Sequence, residues 1–267
     1  MQRNKSVSKF FKGFYLALVL AFLYIPIIVM IALSFNASVS RAEWTGFTLD
    51  WYAKLFKSKA IMAALRVTLE VAVVATVAST IIGTLGAIGM HAMSAGWANM
   101  LINLSYLPMT TPDIVTGVSL MLMFIFAKVP LGKWTMIMAH IAFDTPYVLF
   151  SVMPKLRQMN PNLYEAALDL GCHPAKALFK VIIPEIMPGI VTGSLLAFTM
   201  SLDDFAVTFF TRGTIGLETL STYIYADARK GGLTPELRAL MTLIFLIILI
   251  LLVIINVRQA KMQKANE

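Results

Sequence analysis

NPNLYEAALDLGCHPAKALFKVIIPEIMPG, residues 160–189, decides how the rest of the chain is read. It is a polar, tightly patterned interruption between two long apolar runs. Asn160 followed by Pro161 is a helix start: a side chain that can cap, then a residue with no N–H to leave orphaned. Residues 161–170 read as a short helix. Asn162, Glu165 and Asp169 share one face, and Leu163, Ala167 and Leu170, with Tyr164 and Leu168, form the other. Gly171 can take the left-handed conformation that ends a helix. His173 and Pro174 restart the chain as a second helix, which Pro184 is expected to close. The spacing thus predicts two short helices around a glycine corner, a rigid knob presenting Glu165 and Asp169 one turn apart. Like charges so placed cost roughly a few tenths of a kcal/mol, a cost that makes sense opposite a cationic partner. A solvated amphipathic loop lying on lipid headgroups would carry the same pattern.

Outward from this segment the chain is oily. Hydrophobic residues make up 58% of it and charged residues only 13%, about half the charged share of an ordinary soluble domain. A bilayer core takes about twenty apolar residues as a helix, and six stretches qualify: 14–35, 67–90, 100–127, 135–153, 189–210 and 239–257. The reading is an all-α polytopic membrane protein with six transmembrane helices. Residues 1–267 form a single transmembrane domain, with the segment 160–188 as its cytoplasmic projection. The first stretch follows Arg3, Lys5, Lys9 and Lys12 and exceeds the length of a signal-peptide core, so it reads as a retained anchor.

The net charge of +8 sits mainly in tails and loops, where contact with anionic membrane lipid and orientation signals explain it. There is no arginine-rich face interleaved with aromatics, so no nucleic acid is expected as a partner. The 22 Lys and Arg divide evenly between the two sides of a six-span topology. The basic N-terminus and the tail residues Arg258, Lys261 and Lys264 lie closest to span ends, which favours both termini in the cytoplasm. Cys172 is the only cysteine, which excludes an intrachain disulfide and a multi-cysteine metal site. The methionines lack a clustered pattern and read as gap-fillers. In the outer loop 36–60, Trp44, Trp51 and Tyr52 suit a helix lying at the interface. Ala75, Ser79, Gly83 and Ala87 recur every fourth residue, and Gly189 and Gly193 repeat the device, as helices that approach closely require.

Ionisable residues inside the spans carry the functional reading. They are Asp113 in TTPDIVTG, His140 and Asp144 in AHIAFDTPY, and Asp203 and Asp204 in FTMSLDDFAVTFF. A carboxylate at the bilayer centre costs roughly 2.5–3.5 kcal/mol even on lenient scales, so these residues are expected to face a bundle interior, a partner or water. Asp203 and Asp204 are about 100° apart on a helix: one is suited to line a pathway and the other to bond to a neighbouring helix. His140 and Asp144 lie one turn apart, a spacing that permits a bond between them. The competing reading is that these groups pair internally or cap helices broken near Pro112 and Pro146. His-x-x-x-Asp alone is a weak metal signal, and no metal site is assigned. No Gly-x-Ser-x-Gly elbow supports a serine nucleophile.

The knob resembles the cytoplasmic signature of ABC importer permeases: Glu-Ala-Ala, three residues, Gly, nine residues, Ile-x-Leu-Pro. Here Glu165-Ala166-Ala167 is followed at that spacing by Gly171 and then Val181, Ile183 and Pro184. Val and Ile replace Ile and Leu. The resemblance implies the type I ABC importer permease fold and a coupling helix. Glu165, Ala166, Ala167, Asp169 and Gly171 would engage an ATPase subunit and transmit its closure to the membrane helices.

Across its length the chain also resembles permease subunits of spermidine/putrescine importers, through YIPIIVMIALSFN, TPDIV, EAALDLG and SLDDF with the following TFFTRG. Permeases for ferric ion, thiamine and other solutes share parts of TPDIV and SLDDF. The resemblance implies polyamine import, with Asp203, Asp204, Asp113 and Asp144 along the substrate pathway. It further implies an ATP-binding subunit dimer, a second homologous permease and a periplasmic substrate-binding protein as partners. The chain has no Gly-x-x-x-x-Gly-Lys-Ser/Thr loop, so it is expected to be a transport subunit and not an enzyme, with no cofactor of its own and ATP–Mg on the partner ATPase. A secondary cation transporter using Asp203 and Asp204 as a relay is the rival reading.

Overall fold

The computed structural model describes residues 3–40, 42–160, 162–213 and 217–266. Among these every regular element is helical, apart from one isolated bridge between Asn36 and Phe47. The helices are α1 (Arg3–Ser34), α2 (Asp50–Lys57), α3 (Lys59–Ala92), α4 (Ala95–Thr110), α5 (Asp113–Phe126), α6 (Lys133–Gln158), α7 (Asn162–Asp169), α8 (Pro174–Ala177), α9 (Ile183–Asp203), α10 (Ala206–Thr211), α11 (Leu220–Arg229) and α12 (Pro235–Asn266).

Each of the six expected spans falls on helix, but two are not single rods. Four helical stretches are long and apolar enough to cross a bilayer, within α1, α3, α6 and the run Pro174–Asp203. The expected third span is a pair, α4 and α5, bent by 109° at Thr111–Pro112, and counts as a fifth if the pair is one span. Hydropathy runs through this break unchanged. Pro112, which has no N–H, nevertheless pushes Thr111 to an extended ψ of 144°. The expected fifth span stops at Asp203 and resumes as α10 after an extended Asp204 (ψ 131°). The expected sixth span lies in α12, most of whose side chains past 250 are outside the described residues.

Packing divides the chain into two compact units, residues 1–62 with 224–267 and residues 63–223. In the first, α12 packs against α1 and α2. Asn36 organises the turn after α1. Its side-chain amide donates to the carbonyl of Glu43 (2.7 Å) and its Oδ1 accepts from the amides of Ser38 and Thr45. Trp51, read from sequence as an interfacial aromatic, is instead buried, donating its indole N–H to the Asn36 carbonyl at 2.8 Å. A buried indole needs such an acceptor. Trp44 stays exposed.

The second unit is built on α6. Its Val148, Leu149, Val152, Met153 and Leu156 form a core with Ala87 of α3, Ile186 and Ala197 of α9, and Ile182 just before α9. Lipid tails are as apolar as these side chains, so close packing, not escape from water, holds such helices together. The small-residue stripes serve that packing. A Cβ on Gly83 would lie 2.8 Å from the Val148 Cβ, and one on Gly193 2.9 Å from the Val148 Cα. Val148 is thus gripped from both sides by glycines of two helices. Glu70 of α3 pairs with Arg66 one turn before it (2.8 Å) and with Lys133 at the start of α6.

The knob folds largely as its caps dictate. Pro161 lies outside the described residues, but Asn160 Oδ1 accepts the Asn162 amide at 3.0 Å. Gly171 sits at φ +80°, with its own amide bonded to the Leu168 carbonyl and that of Cys172 to Ala167, the paired bonds of a Schellman termination. His173 Nδ1 then accepts the Ala175 amide at 3.3 Å and Pro174 opens α8. Two expectations are overturned. Leu170 is 89% exposed instead of joining the inner face, because it lies beyond the last helical residue. Pro184 does not close the second helix. A π turn at Leu178–Ile182 widens the backbone just before it, where an α-helical ring would strike the carbonyl four residues back. The run therefore continues to Asp203.

Candidate functional site

The two helix breaks meet. α5 begins at Asp113 and α10 at Ala206, and the two helices pack together so closely that a Cβ on Gly117 would stand 3.0 Å from the Ala206 carbonyl oxygen. A cavity of about 550 Å³ opens beside them, lined by Pro112, Asp113, Ile114, Phe143, Met200, Asp203, Asp204, Phe205 and Ala206. Asp113 and Asp203 are exposed at its wall. The rest of the lining, Asp204 aside, is apolar, so the surface combines two accessible carboxylates with hydrocarbon. That combination suits a cation carried on an apolar stem. Broken helices around a polar cavity are a recurring solution for binding inside a membrane, because irregular backbone is tolerated there where it lines a cavity.

Asp203 and Asp204 separate as their helical angle suggests. Asp204 is buried. Its Oδ1 accepts the amide of Val207 at 3.1 Å and its Oδ2 that of Thr208 at 2.8 Å, satisfying donors that the first turn of α10 would otherwise leave orphaned. The Asp204 carbonyl in turn accepts from Ser221 Oγ at 2.6 Å. Asp113, in the first turn of α5, is placed where a negative charge is favoured by the helix dipole. Thr111 and Thr116 exchange a hydroxyl bond of 3.0 Å across the α4–α5 corner.

His140 and Asp144, one turn apart on α6, do not bond to each other. The imidazole is taken from both sides: Nδ1 lies 2.7 Å from Ser201 Oγ and Nε2 3.0 Å from Thr208 Oγ1, with Asp204 Oδ2 at 3.5 Å. Asp144 is fully buried, neither carboxylate oxygen has a hydrogen-bond partner among the described residues, and it is not among the residues lining the cavity. Among the described residues no group of three or more His, Cys, Asp and Glu could hold a metal ion. Sequence reasoning did not find the roles of Ser201 and Thr208. The signal available was their spacing of three before and four after Asp204, which puts a hydroxyl in the turn on each side of an acid that caps a helix.

On the knob, Glu165, Ala166 and Asp169 are exposed, Ala167 is half-buried, and Tyr164 anchors the helix against the α6–α9 core. The acidic face is therefore presented outward by a short helix whose far side is fixed.

Residues 83–264 match the family described as binding-protein-dependent transport system inner membrane component, and the chain belongs to that family. It is 35% identical to the spermidine/putrescine transport system permease protein PotC of Haemophilus influenzae over 239 residues, 89% of this chain and 92% of the relative. It is 37% identical to the putrescine transport system permease protein PotI of Escherichia coli K12 over 235 residues, 84% and 81% of the two chains. In fold it is similar to a bacterial ABC transporter involved in the import of the acidic polysaccharide alginate, with a TM-score of 0.66 at 16% identity over 97% of this chain and 98% of the other. The type I importer permease fold expected from the knob is thus the fold observed.

Proposed function

We propose that this chain is one permease subunit of an ATP-driven importer that carries polyamines of the spermidine and putrescine class inward across the cytoplasmic membrane. The observation that carries the reading is the cavity at which Asp113 and Asp203 stand exposed among apolar walls. Carboxylates attract ammonium groups, and the apolar lining accepts the methylene stem between them. A site of this kind suits a multivalent alkyl cation and rejects an anionic sugar, which would face like charge. The relatives, permeases of spermidine/putrescine and putrescine transport systems, point to the same substrates. Asp204 serves the pathway by shaping the break at the cavity's edge, and Asp144 as a buried acid on α6 behind the wall.

In this reading both termini lie in the cytoplasm and residues 160–188 project there. Glu165, Ala166, Ala167, Asp169 and Gly171 enter a cleft on an ATP-binding subunit. A dimer of such subunits, holding ATP–Mg, draws this knob and that of a second homologous permease together. The pathway between the two permeases then opens outward to receive substrate from a periplasmic binding protein, and the chain itself supplies no hydrolytic chemistry. Alternating access by rocking of packed helices is the general physical scheme. The test is uptake of labelled putrescine into vesicles holding the assembled complex. Asp203→Asn and Asp113→Asn together are expected to abolish it, and full uptake by that double variant would remove the cavity from the pathway.

A further inference from the structure

A break in a membrane helix frees backbone groups and also frees the angle between its two halves. At the α9–α10 break, Asp204 satisfies the amides of Val207 and Thr208, but those bonds tie α10 only to the break itself. The chain is extended at Asp204, and the angle between α10 and the last turn of α9 sets how the break lies beside Asp203 and the cavity. One side chain spans both halves. His140 reaches Ser201 in the last turn of α9 through Nδ1 and Thr208 in the first turn of α10 through Nε2. It is 1% exposed, so no water competes for these bonds. Hydroxyls donate or accept, so either neutral tautomer satisfies both contacts. Thr208 closes the circuit, its amide on Asp204 Oδ2 and its hydroxyl on the imidazole.

We propose that His140 is a positioning residue for translocation, pinning both halves of the α9–α10 break to α6 and so fixing the direction of Asp203. α6 is a suitable anchor, because the same helix is held to α9 below the break by the approach of Gly193 and Gly189 to Val148 and Ser151. Thr135, one and a half turns earlier on α6, adds a third tie, its hydroxyl 2.9 Å from the Thr211 carbonyl at the end of α10. α9, the break and α10 are therefore carried by α6 as one body, and Asp203 moves with it. This inference rests on the reading of Asp203 as a pathway acid.

The experiment uses the assembled complex in vesicles, with labelled putrescine as the probe, and two readouts. His140→Leu fills the space without the bonds, Ser201→Ala with Thr208→Val removes the partners, and His140→Gln keeps one bond. The first readout is the putrescine concentration giving half-maximal uptake. It is expected to rise about tenfold in the Leu and double variants, equivalent to about 1.4 kcal/mol, and by an intermediate factor in the Gln variant. The second is the rate at which a charged thiol reagent labels Asp203→Cys in a Cys172→Ser background, expected to change about threefold or more when His140→Leu is added. A changed labelling rate with unchanged uptake keeps the pin and refutes the pathway role of Asp203. An unchanged labelling rate overturns the pin whatever uptake does. A Leu variant that matches the parent in both labelling rate and half-maximal concentration shows His140 to be only a space-filling core residue.

Discussion

Asp203 and Asp204 are adjacent in sequence and face opposite environments: Asp203 is exposed at the wall of the cavity, and Asp204 is buried with both oxygens bonded to the backbone of the following helix. The chain turns between them, and the first acid is left accessible at the cavity while the second holds the turn.

Their substitutions should therefore fail in different ways. Asp203→Asn is expected to leave the thermal midpoint of the purified complex unchanged and to lower uptake of a cationic substrate at least tenfold, about 1.4 kcal/mol. Asp204→Ala removes a cap and is expected to destabilise by about 1–2 kcal/mol, seen as a lower midpoint before any transport is measured. Thermal unfolding of both variants beside uptake separates the two roles.

Asp144 is a different case. Its carboxylate is fully buried and has no hydrogen-bond donor among the described residues, and an unmade bond to a buried polar group costs about 1–3 kcal/mol. Asp144→Leu, which fits the apolar surroundings, should raise the thermal midpoint while reducing uptake, the exchange expected where a strained group is kept for function. A lowered midpoint would mean that the carboxylate has a stabilising partner in the assembled complex.

The α6–α9 seam makes a prediction about packing alone. Gly193→Val puts a branched side chain where even a Cβ lies 2.9 Å from the Val148 Cα. The backbone must move, at a cost of about 1–3 kcal/mol. The measurement is the yield of monodisperse complex in mild detergent. Gly89→Ala, at a position with nothing within 4 Å, should behave as the parent and serves as the control.

What could be read in the sequence divides by the range of the interaction responsible. The knob was legible because its signals are local: Asn160 caps, Gly171 turns left-handed, and His173 with Pro174 restarts the helix, each within a few residues. The spans were legible from hydropathy, but their breaks were not, because a bent and a straight apolar helix have the same composition. Pro112 before Asp113 was a boundary signal in the sequence, and Asp204 is a capping residue in an apolar run. The partners of His140 were out of reach, because Ser201 and Thr208 come from elements 61 and 68 residues away and helical spacing pointed to Asp144 instead. Pro184 misled for a different reason. A π turn is a tertiary accommodation with no strong local sequence signature.

For the knob, Gly171→Val forces a β-branched residue to φ +80° and should cost about 1–2 kcal/mol locally, loosening the helix that presents Glu165. Glu165→Lys leaves the turn intact and reverses the exposed charge. Both are expected to lower uptake, but only Gly171→Val should raise proteolysis at residues 170–173, which limited digestion of the complex would detect.

The most direct test of the whole account is putrescine accumulation in vesicles containing the assembled complex, with and without ATP on the cytoplasmic side, for the parent and for Glu165→Lys. Accumulation is expected to require ATP and the partner subunits, and Glu165→Lys is expected to hydrolyse ATP with little or no accumulation. Accumulation by this chain alone, without nucleotide and driven by an ion gradient, would contradict it.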